Sequence, residues 1–278
     1  MKTKITILIE NYSPVSLGLT GEHGLSMYVE YSKKCYLFDL GQSGNALYNA
    51  FKLNKNIDSI DSIILSHGHY DHVGGIEEFL KYLNRKINIY TPQKAFEKKY
   101  VVNEHFGSKY IGFLQPKEYL ETNLKANFIE LKEYEEIVKG MHAFSHVTLT
   151  NKFEKSPDTL KVKRGNEFFV DEFYDDLSLV LETEKGLVIL LGCAHRGMIN
   201  ICTEVKAKLK KNIYAIIGGT HIQSYNEEYL LFIKKYLKEE KIQIFAPNHC
   251  TSRKVISYFE REVPEIFTNA FCGSEICI

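Results

Sequence analysis

The chain carries no surplus of charge: its 35 lysines and arginines are offset by 35 aspartates and glutamates. A formal net charge of zero leaves no bulk electrostatic pull toward nucleic acid or an anionic membrane, and only a local patch could supply one. No apolar run approaches the roughly 18 residues that a membrane-spanning helix needs. The six cysteines, Cys35, Cys193, Cys202, Cys250, Cys272 and Cys277, follow no CxxC pairing. Nor does the start read as a secretory signal, because Met1-Lys2-Thr3-Lys4 runs straight into a strand-like Ile5-Thr6-Ile7-Leu8-Ile9, too short an apolar stretch to precede a cleavage site. The expectation is a cytoplasmic protein with reduced thiols, in which Cys272 and Cys277 would pair only in an oxidising compartment. Short repeats, low-complexity tracts and flexible linkers are also missing. With 278 residues, enough to bury a substantial core, the chain reads as one domain over 1–278, its two halves, about 1–139 and 140–278, each placing strands before helices.

What the chain does contain is concentrated between Ile63 and Gly75, in the stretch IILSHGHYDHVGG. His67, His69, Asp71 and His72 fall within six residues, after an apolar run and before two glycines. A helical zinc motif would place two histidines at i, i+4 on one face, so this spacing suits a loop instead. Residues 61–65 read as a short buried strand, and Gly74-Gly75 would free the backbone for a tight turn into a helix over 76–83. The histidines then stand outside the carboxyl edge of a strand, where open α/β sheets put their ligands. Imidazoles crowded with a carboxylate suit Zn²⁺, Fe or Mn²⁺. His67 and His69 aim one way, Asp71 and His72 the other, and two metals roughly 3.5–4 Å apart fit that division.

Around this stretch the pattern predicts strands over 5–9, 25–31 and 35–38, with a loop over 11–24 that holds Glu22 and His23. Asp39 is expected to bond backbone amides in the turn before a helix over 45–53. Residues 93–127, charged and rich in aromatics such as Tyr100, Phe106, Tyr110 and Phe113, read as an insertion covering a pocket, and 151–176 as a second lid. Basic residues interleaved with aromatics can also bind single-stranded nucleic acid, which neutral net charge disfavours. Strands are expected over 128–131 and 143–149, and His142 and His146 are read as non-ligands. From Leu177 a hairpin (177–181, 187–191) leads into strands over 213–217, 242–245 and 266–268, with helices over 226–237 and 252–261. His195, His221 and His249 would project from strand ends, as His67 does.

The stretch HGHYDH followed by GG resembles the HxHxDH signature of the metallo-β-lactamase superfamily. Glu22-His23-Gly24-Leu25-Ser26, Leu37-Phe38-Asp39-Leu40-Gly41-Gln42, Leu191-Gly192-Cys193-Ala194-His195, Gly218-Gly219-Thr220-His221 and Asn248-His249-Cys250-Thr251 are similar to further signatures of one branch. That branch includes 7,8-dihydropterin-6-methyl-4-(β-D-ribofuranosyl)-aminobenzene-5′-phosphate synthases. The resemblance implies an α/β fold, a four-layer αββα sandwich of two mixed sheets packed face to face with helices outside. It also implies two divalent metal ions, with Zn expected and Fe or Mn as alternatives.

The ligand expectation is His67, His69 and His195 for one metal, and Asp71, His72 and His249 for the other. In the superfamily a bridging aspartate usually follows the strand that here ends in Leu191-Gly192, and Cys193 stands in its place. Cys193 thiolate or His195 could fill that role, and His221 could replace either late histidine. Cys250 reads as buried packing. Asp71 would orient a metal-bound hydroxide and His221 would donate to a leaving or phosphate oxygen. Glu22, His23 and Ser26 are expected at the mouth of the site, with Cys193 and His221 also facing substrate. The expected function is hydrolysis of a phosphate or carboxylate ester in a small, phosphorylated molecule such as a pterin or ribose compound. A pterin-transferring synthase that releases diphosphate, or a non-catalytic metal-binding module, are the alternatives. Membrane and nucleic-acid partners are not expected, and a homo-oligomer is compatible with the sequence.

Overall fold

The computed structural model describes residues 3–105 and 107–278; Phe106, named above among the aromatics of the first insertion, and Met1-Lys2 lie outside the described residues. The chain forms β1 (Lys4–Ile9), β2 (Ser26–Tyr31), β3 (Lys34–Phe38), helix α1 (Asn45–Lys52), β4 (Ile60–Ile64), the one-turn helix α2 (Tyr70–Val73), α3 (Ile76–Leu83) and β5 (Ile87–Pro92). It continues through β6 (Lys98–Asn103), β7 (Gly107–Tyr110), α4 (Lys117–Leu124), β8 (Ala126–Leu131), β9 (Tyr134–Val138), β10 (Met141–Phe144), β11 (Leu160–Arg164) and β12 (Glu167–Val170). The last third holds β13 (Ser178–Thr183), β14 (Gly186–Leu191), α5 (Met198–Leu209), β15 (Ile213–Gly219), α6 (Glu227–Glu239), β16 (Ile244–Asn248), α7 (Arg253–Glu262) and β17 (Glu275–Cys277).

These strands make two mixed sheets, one of seven strands in the order β17-β1-β2-β3-β4-β5-β8 and one of six in the order β16-β15-β14-β13-β10-β9. Strands covered on both faces read as unbroken apolar runs, and β14 illustrates why. Val188 and Leu190 point into a core shared with Ile5, Met27, Val29 and Phe38 of the first sheet. Leu187, Ile189 and Leu191 point the other way, onto α5, α6 and α7 through Ile201, Leu230 and Phe259. The outer face of the first sheet packs on α1 and α3 through Ala46, Ala50, Ile76 and Phe79. The result is the αββα sandwich. In α3 the buried set Ile76, Phe79, Leu80 and Leu83 follows the i, i+3, i+4, i+7 spacing of a one-sided helix, with acids in its first turn and Lys81 in its last.

Several differences from the sequence expectation concern secondary structure. The two insertions are not irregular lids: β6 and β7 from the first and β11 and β12 from the second form a separate four-stranded antiparallel sheet, with Leu160 opposite Val101. Helix α5 was unanticipated; it is anchored by buried Met198, Ile201, Cys202 and Val205. The strand expected over 143–149 is β10, which ends at Phe144. Residues 266–268 contribute only an isolated bridge between Phe267 and Phe245. All six cysteines are free thiols, Cys272 and Cys277 included. Among the described residues no helix is long and apolar enough to cross a membrane.

Candidate metal centre

The histidine-rich loop leaves β4 between two sheets and is held by backbone contacts on both sides. Leu40 donates its amide to the His72 carbonyl at 2.8 Å, and Tyr70 donates to Ile111 at 2.8 Å. The glycines serve close approach, not unusual torsion. A Cβ on Gly68 would lie 1.8 Å from the Ala95 carbonyl oxygen, and one on Gly74 2.3 Å from that of Gln42. Gly74 and Gly75 themselves adopt ordinary right-handed helical angles, so the expected need for backbone freedom there is replaced by a need for space.

Parallel pairing of β14, β15 and β16 aligns their carboxyl ends. His195, His221 and His249 follow those ends and meet the early loop. The ring centroids of His67 and His195 are 4.9 Å apart, those of His72 and His249 4.8 Å, and those of His195 and His221 4.3 Å.

One cluster consists of His67, His69 and His195, each offering a ring nitrogen, with these atoms all within 4.8 Å of one another. His67 Nε2 faces His69 Nδ1 at 3.0 Å. All three rings are buried, and burial drives each well below the usual histidine range, which favours neutral imidazoles. His69 Nε2 and both nitrogens of His195 have no hydrogen-bond partner, although buried polar atoms are normally satisfied. Phe173 stacks on His195 at 3.9 Å between centroids and 14° between planes.

The second cluster is built differently. His72 Nε2 lies 3.1 Å from His249 Nε2, 3.2 Å from Cys193 Sγ and 3.6 Å from Asp71 Oδ2. Asp71 Oδ2 is also 3.3 Å from both His249 Nε2 and His23 Nε2. Each ring is tied from behind: His72 Nδ1 bonds Asp39 Oδ2 at 2.7 Å, and His249 Nδ1 bonds Asn11 Oδ1 at 3.1 Å. Burial opposes a charge on His72, yet Asp71 and Asp39 on either side hold it up to about 9. Burial also works against ionised Asp71, but the charge of His72 and the hydrogen bond from His249 hold its carboxyl well below the usual range. Burial lowers His249 and His221 to about 4.

These donors fit a divalent cation. In the first cluster neutral imidazoles converge with orphaned nitrogens, and in the second an ionised carboxylate stands beside His72, whose raised value reflects the carboxylates around it and whose proton a bound cation would displace. Beside them opens a cavity of about 420 Å³, lined on the metal side by His69, Asp71, His195, His221 and His249. Its far wall is the small sheet, through Val101, Asn103, Lys109 and Leu160. That wall is tied to the histidine loop by a buried ion group: Lys99 Nζ donates to Asp171 at 2.7 Å and Asp175 at 2.9 Å, while Asp175 accepts the Gly68 amide at 2.9 Å.

A model of the metallo-beta-lactamase superfamily matches residues 19–196. The chain belongs to that superfamily. It is 31% identical over 284 aligned residues to the 7,8-dihydropterin-6-methyl-4-(beta-D-ribofuranosyl)-aminobenzene-5′-phosphate synthase of Methanocaldococcus jannaschii, covering 98% of this chain and 96% of that protein. A shorter likeness, 37% over 73 residues and 26% of this chain, links it to 27% of a hydroxyacylglutathione hydrolase of Psychromonas ingrahamii. Among solved structures, a metal-dependent hydrolase of the beta-lactamase superfamily superposes with a TM-score of 0.84 at 28% identity, covering 99% of this chain and 98% of the other.

Not every residue expected at this superfamily site lies in it. Glu22 accepts the amides of Gln42 and Ser43 and the side chains of Ser43 and Asn45, so it caps the start of α1 and does not line the cavity. Ser26 is fully buried and donates to the Asp39 carbonyl at 2.8 Å. His23, by contrast, is half exposed at the cavity mouth beside Asp71. Asp39 does accept a backbone amide, but it is that of Ser66 in the histidine loop at 2.7 Å, not one in the turn before α1. His142 faces Tyr134 and Glu182, and His146 faces Glu133, away from the centre. Cys250 is buried, as expected of packing, yet its sulfur accepts the His221 amide at 3.2 Å and its donor atom lies within 4.8 Å of those of Cys193 and His249. Asn11, Ser66, Lys99, Phe173 and Asp175 escape sequence reasoning; the polar ones sit in segments where such residues are ordinary.

Proposed function

We propose that the protein is a dinuclear metal-dependent hydrolase acting on a phosphate or carboxylate ester of a small molecule. Zinc is the expected metal, with iron or manganese as alternatives. His67, His69 and His195 would hold one ion, and Asp71, His72 and His249 the other. Bound ions would supply Lewis-acid polarisation of the ester and acidify a water beside it. The chain's own residues supply the rest. Asp71, ionised and reaching toward the cavity beside His23, would orient the attacking water. His221, a neutral imidazole at the cavity wall, would donate an N–H to a leaving or phosphate oxygen. Lys109, on the far wall with its ammonium 5.7 Å above the Tyr70 ring, would favour an anionic substrate. The observation that carries this reading is the set of orphaned, buried ring nitrogens on His69 and His195 at the floor of an open cavity.

A second reading has its own support. The 31% identity over nearly the whole chain to a pterin-related synthase favours a phosphorylated pterin or ribose compound as substrate and a coupling that releases diphosphate. Products separate the two. Metal-loaded protein incubated with phosphomonoesters, phosphodiesters and thioesters should release inorganic phosphate, free alcohol or thiol. A pterin adduct formed with diphosphate, and no hydrolysis of any ester, would instead establish the synthase.

A further inference from the structure

Cys193 occupies a position that neither cluster explains alone. It ends the run from β14, it is 3% exposed, and its sulfur lies 3.2 Å from His72 Nε2. Its donor atom groups within 4.8 Å with those of His67 and His72, and separately with those of His249 and Cys250. One atom is thus within reach of a ring from the first cluster and two from the second. Of the nearby carboxylates, Asp71 faces the second half, at 3.6 Å from His72 Nε2 and 3.3 Å from His249 Nε2, and two others are committed elsewhere. Asp39 gives both oxygens to Ser66 and His72. Asp175 accepts from Lys99 and the Gly68 amide, whereas Asp176 accepts the Arg196 amide with one oxygen and leaves Oδ1 without a partner. The sulfur thus stands in two groups of potential metal donors, and it lines the same cavity as His69 and His195, whose buried nitrogens are without hydrogen-bond partners.

We propose that Cys193 is a thiolate ligand shared by the two halves of the metal centre. The inference rests on the dinuclear reading above and deepens it. On binding, the sulfur–metal bond forms as the thiol gives its proton to solvent, with no change of oxidation state. A soft sulfur between imidazoles shifts preference toward zinc, cobalt or ferrous iron and away from magnesium and manganese, which favour oxygen. Cys250 acts as a neighbour: its sulfur accepts the His221 amide and contacts the Cys193 carbonyl oxygen at 3.6 Å.

The test is cobalt substitution of the full chain, read by absorption. The wild type and Cys250→Ser should show a near-ultraviolet sulfur-to-cobalt charge-transfer band, which Cys193→Ser and Cys193→Asp should lack. Cys193→Asp, with an oxygen in the same place, should still bind cobalt at the wild-type stoichiometry, which separates loss of the thiolate from loss of the fold. In zinc–manganese competition it should lower the wild type's preference for zinc at least tenfold. A charge-transfer band of undiminished intensity in either Cys193 variant would overturn the proposal. So would a wild type that binds cobalt with visible d–d bands alone. A wild type that binds no cobalt would take the dinuclear reading down as well.

Discussion

The two halves of the centre solve one problem by different means. Around His67, His69 and His195 packing does most of the positioning: Phe173 stacks on His195 and three nitrogens are left unpartnered, while Ser66 Oγ, 2.8 Å from His67 Nδ1, supplies a polar tie for one ring. Around Asp71, His72 and His249 each ring is steered by a hydrogen bond behind it, donated by Nδ1 to an oxygen of Asp39 or Asn11. A hydrogen bond to the far nitrogen fixes both the tautomer and the orientation of a ligating imidazole. The first half should therefore respond to changes in the surrounding scaffold, and the second to loss of a single polar partner.

The largest effect is expected from removing the cation that ties the small sheet to the first half. Lys99→Met leaves Asp171 and Asp175 buried without their partner, and breaking such a group costs about 3–5 kcal/mol. Urea denaturation should show that loss; a midpoint unchanged from wild type would separate the small sheet from the first half. Next comes His67→Ala, which removes a proposed ligand. It should weaken metal binding and turnover by more than the roughly 10–100-fold typical of losing an outer partner, as elemental analysis and steady-state rates would record. Asn11→Ala should fall within that range of about 10–100-fold, confined to the second metal equivalent in a titration. Equal weakening of both equivalents would erase the contrast between the halves.

The smallest effect should come from far outside both halves. Hydrogen bonds from Lys55 and Lys4 lower Glu275 to about 2 from its ordinary 4.5. Because its folded-state value is depressed, its contribution is present above about pH 4.5 and is lost as the pH falls toward about 2. The pair is partly solvent-screened, so Glu275→Gln should cost less than ~1 kcal/mol at neutral pH, and nothing near pH 2, in thermal melts. Metal content should not change.

The sandwich is legible in the sequence because its strands are covered on both faces: runs such as Leu187-Val188-Ile189-Leu190-Leu191 admit few other readings. The meeting of the early loop with residues at late strand ends follows from parallel strands aligned at one edge. The small sheet is not legible, because its strands are short and half exposed, with lysines and tyrosines where an alternating apolar face would announce them. Glu22 misleads for a related reason. A carboxylate on a glycine-rich loop next to His23 reads the same whether it faces a cavity or caps a helix, and only the fold brings Ser43 and Asn45 to it. Asn11, and the bond from His72 to Asp39, are found only once His72 and His249 are seen from behind.

The central claim is that side chains from both halves hold a pair of divalent ions. Elemental analysis of purified wild-type protein, side by side with His67→Ala and His249→Ala, tests it most directly. The account predicts two zinc equivalents per chain in the wild type and the loss of at least one in each variant. A wild type with no bound metal after zinc loading, or variants that retain both equivalents, would contradict it.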